Sequence, residues 1–373
     1  MNFEEHAAKP LLRAAGIATP AGEVAADPDA AAQIAARIGP CVVKAQVPTG
    51  KRGKAGGIAL AATADEAAAA AGRILGMAIG SYTVGKVLVE AQVPIAREFY
   101  AAVLNDPATK DALVLFSPEG GMDIEEIAAS HPDRLMRLPV DVRRGFDPAA
   151  ARAALAALGD LPMDGLVDVL GRLFDAYMAH DAELLEINPL VETADGTLMA
   201  LDCKFTLDDS AIKRQADLAA QGTPDRLTGL EGKAQELGLK FIELDGDVGI
   251  LANGAGLTMT SMDAITHYGG RPGNFLEIGG EAYSLSRQAL ELVLSNPRIK
   301  SLLVNFCGAF ARTDVMTAGI VEAWEAVKPT VPVFFTIHGT GEDEAVQMVR
   351  ERLGLEPFDI MDDAVKAAVE AAR

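Results

Sequence analysis

Apolar residues recur at three- and four-residue spacing through 3–15, and Gly16 follows at once. That spacing places them on one stripe of an amphipathic helix, and a glycine there is a natural stop. Stretches 27–38, 63–78, 148–158 and 164–180 read the same way. Between them lie short apolar runs at 41–47, 86–90, 95–104 and 113–117, rich in Val, Leu and Phe, which predict strands. The last three follow one another without a helix between, so the pattern predicts an antiparallel sheet and an α+β layout. A turn at 119–123 leads to a predicted helix over 123–130.

A polar, glycine-containing stretch at 221–238 predicts a linker, and beyond it the pattern changes. Strands predicted at 248–252, 274–278, 301–307 and 331–337 alternate with helices reaching His267 and spanning 284–295, 313–327 and 342–353. A short β segment and a helix over 363–372 close the chain. This alternation predicts an α/β unit with a doubly wound parallel sheet, whose ligands bind beyond the carboxyl ends of the strands. Three of those ends carry glycine-rich turns that open helices. They hold Asn253; then Gly308, Ala309, Phe310, Ala311 and Arg312; then His338 followed by 339–341. Such turns suit a carboxylate or phosphate. A lone histidine at a strand end is more often structural, and the second turn is not a full G-x-G-x-x-G.

The stretch 184–204, LLEINPLVETADGTLMALDCK, has two apolar runs flanking Ala194, Asp195 and Gly196, a turn signal. A three-residue loop there makes Thr193 face Thr197, Asn188 face Asp202 and Glu186 face Lys204. Alternation puts these polar residues on one face of a largely apolar hairpin. An amide oxygen opposite a carboxylate suits a hard cation such as Mg²⁺ shared with phosphate oxygens. A surface hairpin with two incidental cross-strand pairs is the competing reading.

The chain has 373 residues, a size that predicts two or three domains. Its net charge of −20 argues against nucleic acid and anionic membrane surfaces as partners. Cys41, Cys203 and Cys307 are widely spaced, which indicates neither a zinc site nor a disulfide framework. With no presequence-like start and no membrane-length apolar run, the expectation is a cytoplasmic protein. Against this acidic background, 48–57 packs four glycines with Lys51, Arg52 and Lys54. It is not a P-loop, but glycines let backbone N–H groups approach a polyphosphate while the cations neutralise it. An exposed flexible turn is the plainer alternative. No histidine has a nucleophile's context, and G-x-S-x-G, H-E-x-x-H and kinase signatures are missing from the sequence.

Taken together, VVKAQVPTGKRGKAGG at 42–57, VLVEAQVPIAREFY at 87–100, GGMDIEEIA at 120–128, the 184–204 hairpin, 253–280 and VNFCGAFARTD at 304–314 resemble one family. It is the β subunit of succinyl-CoA synthetase and its relative malate–CoA ligase. The resemblance implies an ATP-grasp domain over 1–236 and a flavodoxin-like CoA-ligase domain over 237–373. It implies ATP or GTP, Mg²⁺ and CoA as reactants, and a separate α subunit that carries a phosphohistidine and most of the CoA site. The product would be the acyl-CoA of a short carboxylic acid, formed through an acyl phosphate. By position, Lys44, Lys51, Arg52 and Gly53 would hold phosphates, while Glu90, Val93 and Glu98 would hold base and ribose. Asn188 and Asp202 would bind Mg²⁺, and Glu186 would face the phosphohistidine. Asn253, the 308–312 turn and His338 would meet the acid.

The chain also departs from the family's pattern. Gly308-Ala309-Phe310-Ala311-Arg312 stands where Gly-Gly-Ile-Val-Arg is usual, and Thr336-Ile337-His338-Gly339-Thr340-Gly341 where Arg-Leu-x-Gly-Thr-Asn is usual. Pro48 replaces a histidine. The nucleotide-side residues keep their types, so the expectation is the family's phosphoryl chemistry on an acid other than succinate. A true succinate enzyme is the alternative; an ATP-grasp carboxylate–amine ligase and an inactive scaffold paralogue are two more. The intact Lys44, Arg52, Glu186, Asn188 and Asp202 argue against the scaffold.

Overall fold

The computed structural model describes residues 1–50, 52–122, 124–224, 227–278 and 285–373. The chain forms two compact units, residues 1–225 and 226–373. In the first, strands Gly22–Ala25, Val87–Ala91, Cys41–Ala45 and Ile58–Ala61 form a four-stranded antiparallel sheet in that order. Helices Pro28–Ile38 and Ala64–Ile74 cover it, their small faces (Ala31, Ala35, Ala67, Ala70 and Ala71) packed against Val43 and Val89. Asp27 and Thr63 cap these helices by accepting from the N–H groups of Ala30 and Glu66.

A six-stranded antiparallel sheet follows, built on Ile95–Asp106, Asp111–Ser117, Met136–Val140 and the long strand Ala182–Thr193. Leu198–Ala200 and Lys204–Leu207 both pair with that long strand. Helix Met163–Ala179 closes the core with Leu166, Leu170, Leu173 and Phe174. The sequence pattern grouped 86–90 with 95–104 and 113–117, but Val87–Ala91 belongs to the four-stranded sheet. Alternation reports which faces a strand buries, not which strands it pairs with.

The second unit is a five-stranded sheet in the order Lys240–Glu243, Asn274–Ile278, Val248–Asn253, Ser301–Gly308 and Val333–Gly339. The last four are parallel, and the first is an antiparallel edge. Helices Ser286–Leu294 and Thr313–Val327 pack on one face, burying Leu290, Val293, Met316 and Ile320. Ala255–His267 and Met361–Ala372 cover the other with Ile265, Ala364 and Ala368.

The stretch expected to be a linker holds a helix, Gly229–Glu236, opened by a capping box of Thr228 and Glu231. Ala234 of that helix sits in the second unit's core with Leu239 and Phe241. The boundary therefore falls near 225, not at 236, because this helix packs into the second unit. Its glycines and polar residues hide a single buried stripe. Among the described residues no helix is long and apolar enough to cross a membrane.

Candidate active site

The hairpin that carries Glu186, Asn188 and Asp202 has the register expected of it. Thr193 N–H donates to the Thr197 carbonyl at 2.9 Å, and Gly196 takes a φ of 82° in the loop. Leu190 pairs with Ala200 and Glu186 with Lys204, which sets Asn188 opposite Asp202 between them. Both side chains line a cavity of about 840 Å³ within the first unit. Lys44, Arg52, Gly53, Glu90, Val93 and Glu186 line it too. Lys51 lies outside the described residues. Glu98 is not part of the lining; its carboxylate lies against Gly121, where an added Cβ would come within 2.7 Å of Oε2.

Two pairings occupy the hairpin's polar groups. Asn188 accepts from Gly121 N–H at 2.8 Å and donates to the Met122 carbonyl at 2.9 Å, fastening the 120–122 turn to the hairpin. Asp202 holds the Arg52 guanidinium through both carboxylate oxygens, at 2.6 and 2.7 Å.

Along the cavity wall the charges join into one network, backed by Lys9. Lys44 Nζ bonds Glu5 at 3.0 Å, Glu90 at 2.8 Å and the Leu201 carbonyl at 2.5 Å. Arg52 reaches Glu5 at 2.7 Å. Lys9 reaches Glu5 at 2.7 Å and Glu90 at 2.6 Å. Three cations thus face three carboxylates, and all but Asp202 are buried. Burial alone would raise the Glu5 carboxyl, but Lys44, Lys9 and Arg52 overturn this and hold it well below the usual carboxylate range. Burial likewise opposes charge on Lys44 and Arg52, yet the acids around each push its pKa up.

Glu186 is placed differently. Burial raises its carboxyl, and Lys204 and a 3.0 Å hydrogen bond from Tyr100 only partly offset that. Burial and the neighbouring carboxylate in turn push the Tyr100 phenol up. A buried carboxyl on a cavity wall, its pKa displaced by its surroundings, is the kind of group that can exchange a proton or receive a cation.

In the second unit, the turns after three of the four parallel strands, Val248–Asn253, Ser301–Gly308 and Val333–Gly339, are tied together by hydrogen bonds. Asn253 donates to the Cys307 carbonyl and accepts from its N–H, both at 2.8 Å. Thr340 N–H donates to Gly308 and its hydroxyl to Ala309, at 2.9 and 2.8 Å. Gly308 and Gly339 are required by this packing: a Cβ on the first would meet the Ala311 carbonyl at 2.1 Å, and one on the second the Gly308 carbonyl at 2.0 Å. Arg312 is engaged by Asp314 at 2.8 Å, and His338 stands 3.5 Å from Glu342. Phe310 projects fully into solvent, at 103% relative exposure. Among the described residues, the groups foreseen for the acid are thus gathered, but Asn253 and Arg312 are committed to neighbours.

Comparison with known proteins decides the family. A family model for an ATP-grasp domain matches residues 2–192, and one for a CoA-ligase domain matches 251–372. The β subunit of the GDP-forming succinate–CoA ligase of Thermus thermophilus is 42% identical, over 94% of this chain and 93% of that one. That of the ADP-forming enzyme of Chloroflexus aurantiacus is 41% identical, over 100% of this chain and 99% of that one. The chain belongs to the succinate–CoA ligase β-subunit family. It is thus an ATP-grasp domain followed by a CoA-ligase domain, part of a nucleotide-dependent acid–thiol ligase. The ATP citrate lyase of Methanothrix soehngenii, solved with citrate and coenzyme A, shares the fold across 99% of both chains, at a TM-score of 0.72 and 20% identity.

Two groups of this charge network went unseen in the sequence, Glu5 and Lys9. Both lie on helix Glu5–Ala14 one turn apart, on the same stripe as the buried Ala8 and Leu12. An acid and a base four residues apart on an otherwise apolar face were the available signal. Tyr100, hidden in a strand of apolar neighbours, gave no signal of its own.

Proposed function

We propose that this chain is the nucleotide-binding β subunit of a nucleoside-diphosphate-forming acid–CoA ligase, working with an α subunit that carries a phosphohistidine, on an acid other than succinate. One observation carries the reading: Lys44, Arg52, Asn188, Asp202 and Glu186 line a single cavity. Cations for phosphates, hard oxygen donors for a metal and a raised carboxyl are what phosphoryl transfer to an incoming histidine needs.

Lys44 and Arg52 hold the phosphates of ATP or GTP, and Lys51 is the neighbour of Arg52 in sequence. Gly53 lets the backbone come close, and the wall at Glu90 and Val93 receives the nucleoside. Asn188 and Asp202 fit Mg²⁺: both present oxygen, and a site of two protein ligands completed by phosphate is usual for this ion. Held there, such an ion would supply positive charge to offset that of the phosphate oxygens.

Glu186 receives the partner's histidine and stabilises the positive charge that grows on its ring as the phosphoryl group arrives. The histidine then passes that group to the acid, giving an acyl phosphate, and the CoA thiol displaces phosphate to leave the acyl-CoA. The turns at Asn253, 308–312 and His338 bound the acid. Phe310 adds bulk, Ala311 removes it, Thr336 stands where the family carries arginine, and His338 brings an imidazole. These changes support an acid bearing a further polar group, such as a hydroxy- or sulfo-carboxylic acid.

Succinate is the second reading, favoured by the names of relatives about 40% identical over the full chain. Steady-state assays of the purified αβ complex with a panel of short acids test the choice. A kcat/KM for succinate above that for every other acid overturns the first reading and leaves the ligase assignment standing.

A further inference from the structure

Lys9 is 1% exposed, and no step above uses it. A buried ammonium is costly unless its charge is met and its donors are satisfied. Lys9 meets both conditions with partners that belong to the nucleotide site. Its Nζ lies 2.7 Å from Glu5 Oε1, 2.6 and 2.7 Å from the Glu90 oxygens and 2.9 Å from the Leu201 carbonyl. Lys44 Nζ uses the same three groups, at 3.0, 2.8 and 2.5 Å. Two ammonium groups therefore share one set of acceptors. Lys44 lines the cavity and Lys9 does not.

Resting on the nucleotide assignment above, we propose that Lys9 is a positioning residue. It is the standing counter-ion that lets Lys44 and Arg52 be released to a polyphosphate. When these two turn to phosphates, Glu5 and Glu90 lose two of their three cations. With Lys9 in place the pair keeps one positive charge, and the Leu201 carbonyl, one residue before Asp202, keeps a donor. Without Lys9, two buried carboxylates are left bare at the moment the nucleotide enters. Lys44 is then held back by its acids, and binding weakens.

The test uses the full chain titrated calorimetrically with Mg²⁺-ATP and Mg²⁺-GTP, with no acid or CoA, and turnover of the complete enzyme measured in parallel. Lys9→Met weakens nucleotide binding about tenfold or more, the scale of one uncompensated charge at this range. KM for nucleotide rises in step, while kcat at saturation stays within about threefold, a loss under the size of one such charge. Glu5→Gln binds at least as tightly as the unaltered chain. Glu5→Gln combined with Lys9→Met restores the charge balance and recovers most of the affinity. A packing role predicts the opposite order, with the double variant the weakest. Unchanged binding in Lys9→Met, or no recovery in the double variant, overturns the proposal. If Lys9→Met does not fold, Glu5→Gln still decides: weaker binding in it also overturns the proposal. If the unaltered chain binds neither nucleotide, the proposed function falls and takes this inference with it.

Discussion

Arg52 and Asp202, 150 residues apart, clasp each other through two hydrogen bonds of 2.6 and 2.7 Å. The residue assigned to phosphate and the residue assigned to the metal are thus each other's partner. On those assignments nucleotide and metal would open this pair together: Arg52 freed from Asp202 keeps Glu5, whereas Asp202 freed from Arg52 loses this ion-pair partner. Asp202→Asn is expected to abolish Mg²⁺-dependent nucleotide binding and turnover. It should cost only about 1–2 kcal/mol of stability, because Arg52 keeps Glu5 and the amide still accepts a hydrogen bond. Calorimetry and thermal unfolding check both; normal turnover sinks the metal assignment.

Glu5 sets an acid limit on the fold. Its carboxyl lies well below its ordinary value of 4.5, so its stabilising contribution is complete above that value and is lost as pH falls through the depressed one. The unfolding temperature should fall steeply below about pH 4, near the unperturbed carboxylate value. In Glu5→Gln, stability at pH 7 should be lower and the acid fall shallower. Parallel curves for the two proteins contradict the assignment.

Glu186 should govern the acid limb of the phosphoryl-transfer half-reaction. Burial holds its carboxyl above the usual value, and the Tyr100 hydrogen bond pulls it part of the way back. Removing that bond with Tyr100→Phe raises the carboxyl further, so the acid limb should move to higher pH. Rates of partner phosphorylation against pH check this, and a limb that stays put or moves down refutes it.

The turns of the second unit give a paired prediction. Gly308→Ala forces a Cβ to within 2.1 Å of the Ala311 carbonyl and should cost about 2–4 kcal/mol, the range of strained or overpacked sites. Phe310→Ala removes a fully exposed ring and should leave the unfolding temperature unchanged while shifting KM for the acid. Thermal scans and acid titrations separate the two effects. An unaltered acid profile in Phe310→Ala removes that turn from the acid site.

The hairpin register could be read from the chain because a strand's period of two leaves no freedom once a three-residue loop is placed. That is why Asn188 and Asp202, and Glu186 and Lys204, were found opposite each other. The parallel sheet was legible for a similar reason, since strands and helices of regular length alternate from Val248 onward. Sheet membership of Val87–Ala91 was not, because pairing depends on partners distant in sequence. The helix at Gly229–Glu236 was hidden by three glycines in ten residues, at 229, 232 and 238. The charge network shows the same limit. Lys44 and Arg52 stood out as cations against an acidic chain, whereas Glu5 and Lys9 gained their meaning only when folding brought them to Glu90 and Leu201.

The most direct test of the central claim is to isolate the chain with its native partner, label the complex with ATP radiolabelled on its γ-phosphate, and discharge the label with CoA and one acid at a time. The account predicts an acid-labile phosphohistidine on an α-sized partner, discharged faster by a substituted short acid than by succinate. A complex that takes up no label on histidine contradicts the account.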